Sequence, residues 1–92
     1  MSARDPAAAI VRTLRERFGP ITLVEQHRRR WASVTFEGER ITLTLSGAGA
    51  ASAAAALSDV EFPLVGRFVA DTQALNSDGD RITVEVLIVD EG

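Results

Sequence analysis

The run Arg81-Ile82-Thr83-Val84-Glu85-Val86-Leu87-Ile88-Val89 constrains this chain more than any other stretch. Ile82, Val84, Val86 and Ile88 recur at every second position. Successive side chains of a β-strand point to opposite faces, so one face of this strand is built for burial. Such alternation belongs to antiparallel sheets with a single covered face, and the cover has to come from helices or from a second sheet.

Three shorter runs alternate in the same way: ITLVEQ (21–26), WASVTF (31–36) and RITLTL (40–45). The spacing predicts three antiparallel strands. A two-residue turn at Gly38-Glu39 sets Phe36 against Ile41, Val34 against Leu43 and Ala32 against Leu45 on the inner face, with Thr35 and Thr42 paired outside. By the same parity, His27–Arg30 forms a four-residue loop, so the only histidine and three consecutive arginines sit at an exposed hairpin tip. A strand over about 65–75 follows Pro63, and NSDGD (76–80) is a turn cluster. A three-residue connection there sets Ala74, Thr72, Ala70 and Phe68 opposite Ile82, Val84, Val86 and Ile88. A two-residue Asp78-Gly79 turn would instead push Gln73 and Asp71 inward.

The cover is legible too. Asp5 stands at an N-cap position, Pro6 at the first helical position and Gly19-Pro20 past the end, which predicts a helix over about 6–18. Ala7, Ile10, Val11, Leu14 and Phe18 share one side of it. SGAGAASAAAALS (46–58) has high helical propensity and little apolar bulk. It predicts a helix over about 49–58 that gains by lying close against another backbone. The expected fold is therefore α+β: a small antiparallel sheet, α-β-β-β-α-β-β in sequence, with two helices packed on one face. At 92 residues the chain has room for a single domain, 1–92.

Composition narrows the chemistry. No apolar run approaches the roughly 18 residues that would span a bilayer. The start has no secretory pattern, so no membrane association and a cytoplasmic address are expected. With no cysteine, no tyrosine, no lysine and one histidine, the common nucleophile and base pairings are nearly absent. His27 beside Arg28 is poorly placed to serve as a base, and no His/Asp/Glu cluster has ligand spacing. Gly47-Ala48-Gly49-Ala50-Ala51-Ser52 imitates a glycine-rich dinucleotide fingerprint, but it follows an alternating strand of an antiparallel hairpin, so no cofactor is expected.

Charge is uneven. Residues 1–30 carry seven arginines against three acids, a balance of +4, while residues 31–92 balance at −7. Such asymmetry marks either an anion-binding face or two complementary surfaces on neighbouring copies. On the sheet face that should be polar, the sequence sets Val24, Trp31, Val69, Leu87 and Val89, more apolar surface than a free face of this size carries. The expectation is a non-enzymatic binding or self-association module, a homodimer or a protein-partner binder. Trp31 would anchor this outer face and Arg28, Arg29 and Arg30 would form its charged rim. The alternative is an accessory nucleic-acid or anion-binding protein that uses the same arginines. A small-ligand or enzymatic site under the alanine-rich helix is the third reading.

Overall fold

The structure, a computed structural model, describes residues 5–91. Helix α1 spans Pro6–Phe18 as its punctuation predicts. The Asp5 carboxylate accepts from the Ala7 amide at 3.0 Å, and the Gly19 amide closes the other end on the Arg15 carbonyl. Strands β1 (Thr22–Ala32), β2 (Glu37–Ser46), β3 (Arg67–Asp78) and β4 (Arg81–Asp90) form one antiparallel sheet of order β1-β2-β4-β3. Helix α2, Ala50–Ala56, runs into a short 3₁₀ turn at Leu57–Asp59. The fold class is as expected, α+β with two helices against the sheet, but the sheet has one strand fewer.

The missing strand is a correction to the first hairpin. His27–Arg30 is no loop: β1 runs straight through it, and the turn lies at residues 33–36. Ala32 therefore pairs with Glu37 and Trp31 with Gly38, and the expected pairs Phe36–Ile41 and Val34–Leu43 do not form. Ile41, Leu43 and Leu45 face inward as predicted, but they pair with Val86, Val84 and Ile82 of β4 across the centre of the sheet. All six are 0–1% exposed, and Ile10 and Leu14 of α1 close over them.

The second hairpin corrects the predicted connection. Asp78 pairs with Arg81 around a two-residue turn, Gly79-Asp80, with Gly79 at φ +63°. On a regular ladder that turn would aim Gln73 and Asp71 at the core. Two β-bulges, at Leu75 and at Ala70, reset the parity and bring Ala74, Thr72 and Val69 inward instead.

The glycines before α2 have a packing role. A Cβ on Gly47 would fall 2.3 Å from the Pro20 carbonyl oxygen, and one on Gly49 would fall 2.5 Å from that of Phe18. The Gly49 amide donates to the Pro20 carbonyl. The small residues thus let the β2–α2 connection press on the α1–β1 connection, and Ala50 and Ala53 are fully buried.

Sheet and helices differ in length. A 13-residue helix is about 20 Å long and an 11-residue strand about 36 Å. The molecule is 40 Å along its major axis, so one end of the sheet extends past its cover. Glu39, Arg67, Asp90, Trp31, Phe36 and Phe68 lie at that end.

Candidate binding surface

At the overhanging end, the helix-side face is closed by ions. Arg28 donates through Nε and Nη2 to both oxygens of Glu39, at 2.9 and 3.0 Å, and through Nη1 to Asp5 at 3.1 Å. Arg67 reaches across from β3 to Glu39 and Asp90, both at 2.7 Å. Arg30 bonds Asp90 at 3.1 Å and approaches Glu37 at 3.4 Å. All four strands and the cap of α1 are tied into one network. Glu39, at the centre, is 6% exposed.

The two guanidiniums hold Glu39 below the usual carboxylate range. The Arg28 hydrogen bonds lead that effect, burial opposes it, and Arg67 adds to it. Asp90 is lowered as well, first by the hydrogen bond from Arg67 and then by that from Arg30. Arg28 is raised by Glu39, against desolvation. For Arg67 desolvation is the largest single influence and opposes the charge, but the combined bonds to Glu39 and Asp90 outweigh it.

The three arginines predicted to share one rim therefore part company. Arg28 and Arg30 point to the helix side and are spent on carboxylates, while Arg29 alone lies on the outer face. Val69 also departs from its predicted place, since the Ala70 bulge turns it inward beside Ile88. Val24 is the extra residue of a bulge in β1 and is 45% exposed. That bulge sends Glu25 outward, against the inward position its parity predicts, and Glu25 bonds His27 at 2.6 Å. Leu87 lies outward between Arg40 and Asp71, half-buried.

Trp31 and Val89 do occupy the outer face, in a cross-strand row that reads Trp31, Gly38, Val89, Phe68. The indole lies against Gly38: a Cβ built there would be 3.0 Å from Trp31 Cζ2. Val89 is 7% exposed in the middle of the row. Trp31 Nε1 is shut off from solvent with no acceptor among the described residues. An unmet buried donor costs about 1–3 kcal/mol, which the apolar contact of the ring must offset.

The row continues into residues that the sequence pattern placed in the core. Phe36 is 52% exposed, Phe68 43%, and Val34 projects fully from the β1–β2 loop. The loop is set by Ser33, whose amide donates to the Phe36 carbonyl at 2.7 Å and whose hydroxyl accepts from the Phe36 amide at 3.1 Å. Phe36 and Phe68 flank an open groove of about 640 Å³ with Thr35, Glu37, Asp90 and Glu91 on its walls. No local signal separates the two arrangements, because a turn at Gly38-Glu39 also leaves Glu37 and Glu39 where polar residues are ordinary.

Among the described residues no group of three or more His, Asp or Glu stands where it could hold a metal ion, and no helix is long and apolar enough to cross a membrane. Comparison with protein-family models, with curated proteins and with solved structures finds no match to this chain.

Proposed function

We propose that this chain is a non-catalytic protein-binding module of the cytoplasm that docks its partner on the overhanging end of the sheet. The observation that carries this reading is the joint exposure of Phe36 and Phe68 on either side of one groove, with Val34 exposed on the adjoining loop and Trp31 in the same cross-strand row as Phe68. Aromatic side chains clustered at a surface are the usual anchors of an interface, and single anchors are worth about 2 kcal/mol or more. The acidic wall supplied by Glu37 and Glu91 suits a partner segment that presents apolar and basic side chains.

The nucleic-acid reading is weaker on the same geometry. A phosphate reaching Arg28 or Arg30 would have to displace Glu39, Asp5 or Asp90. Of the three arginines, Arg29 alone has no carboxylate within bonding distance among the described residues.

The test is the double variant Phe36→Ser/Phe68→Ser, whose side chains are about half exposed and which circular dichroism is expected to show folded at about 25 °C. Association, measured as binding of a synthetic peptide that presents apolar and basic side chains, is expected to weaken by about 30-fold or more. Unchanged association by the double variant would remove this surface from the account.

A further inference from the structure

We propose that two copies of the chain pair edge to edge through β1, antiparallel, in the register centred on His27. This surface is separate from the aromatic groove. β1 is an outer strand of the sheet, and nine of its eleven residues are exposed. The free edge of a strand presents a row of amide and carbonyl groups ready to extend the ladder. The other edge, β3, is interrupted by the bulges at Ala70 and Leu75, whereas β1 is regular from Glu25 onward.

Charge selects the occupant and the register. Arg29 stands directly opposite Arg40 on the outer face. Like charges facing each other across a ladder are destabilising. Arg40 is satisfied by Glu85 at 2.8 Å, but Arg29 has no carboxylate within bonding distance among the described residues. The side of Arg29 away from Arg40 is the free edge. A carboxylate arriving there relieves the pair, and a second copy carries one at the right spacing. With His27 on the two-fold axis, the partner's Glu25 falls opposite Arg29, Glu25 opposite the partner's Arg29, and Gln26 opposite the partner's Arg28.

Neighbouring registers lose this match. Centring on Arg28 sets that arginine against itself and Glu25 against the partner's Trp31. Centring on Gln26 drives Arg29 onto the partner's Leu23, beyond the bulge at Val24. The paired stretch is thus residues 25–29, and it joins two four-stranded sheets into one of eight. The two aromatic ends then point away from each other.

The experiment is light scattering over a concentration series at low salt on the whole chain and three variants: Arg29→Glu, Glu25→Arg, and the exchange Glu25→Arg/Arg29→Glu. Each single variant creates two like-charge pairs at the interface and is expected to weaken the dimer about 10-fold or more, while the exchange restores it to within about 3-fold. These side chains are exposed, and circular dichroism is expected to report an unchanged fold. A parent that stays monomeric at every concentration overturns the proposal, and so does a dimer that ignores the single reversals or is not rescued by the exchange. A dimer lost in Phe36→Ser/Phe68→Ser but indifferent to the charge exchange overturns edge pairing and leaves the aromatic groove as the association surface.

Discussion

Gly38→Ala is expected to lower the melting temperature by about 12 °C or more, the mark of a loss near 3 kcal/mol in a chain of this size. A Cβ at Gly38 would lie 1.8 Å from the carbonyl oxygen of Ile88, 2.9 Å from its carbonyl carbon and 3.0 Å from Trp31 Cζ2. The first two are backbone atoms of β4, the neighbour to which Gly38 is paired, so no rotamer change makes room. The strands must part or the indole must lift, and either change loosens the cross-strand row that includes Val89. Gly79→Ala serves as the contrast. Gly79 has φ +63° but nothing within 4 Å of a Cβ, so only the left-handed backbone is strained, at a cost of about 1 kcal/mol. Thermal unfolding followed by circular dichroism compares the two. If Gly38→Ala melts no lower than Gly79→Ala, the close approach of β2 and β4 at this point is wrong.

The same glycine explains part of what the sequence could and could not convey. Read alone, Gly38-Glu39 looks like a hairpin turn, because glycine beside a polar residue between alternating runs usually is one. The structure uses Gly38 for close approach inside a long strand, a role that no local pattern distinguishes from a turn. The arginines misled for a related reason. Three consecutive cations cost least in a solvated loop, unless carboxylates from other strands meet them. Here Glu39 of β2 and the helix cap Asp5 meet Arg28, and Asp90 of β4 meets Arg30, from positions up to 60 residues away in the chain. What depended on local chemistry was legible: the caps and apolar face of α1, the inner rows of β2 and β4, and the close packing of α2. Both edge strands carry bulges, and a bulge inverts the side-chain parity on which any sequence register rests. Val69, Glu25 and Phe68 changed faces on that account. Trp31 and Val89 kept theirs, so one part of the candidate surface was visible in advance and its most exposed part, Phe36 and Phe68, was not.

Glu39→Gln is expected to cost about 2–3 kcal/mol at neutral pH and progressively less as the solution is acidified. Glu39 accepts three charge-assisted hydrogen bonds from Arg28 and Arg67 and joins β1, β2 and β3 at the end of the core that no helix covers. A neutral amide keeps the shape but leaves Arg28 only Asp5 and Arg67 only Asp90 as a charged partner, and one amide oxygen cannot replace two carboxylate oxygens. The direction of the pH dependence follows from the bonds. Arg28, and after it Arg67, hold the folded carboxyl below its unfolded value. The native state therefore binds this proton less readily than the unfolded chain does. The stabilisation is fully present above that unfolded value and is lost as pH falls through the lower folded value. Asp90, lowered first by Arg67 and then by Arg30, adds a loss in the same direction. Urea unfolding at pH 7 and at pH 3 separates the parent from Glu39→Gln. The parent is expected to lose stability steeply between the two, the variant less so, and the gap between them to narrow in acid. A gap of the same size at both pH values would mean that Glu39 stabilises the sheet by its packing alone, and that its charge is not what ties the strands at this end.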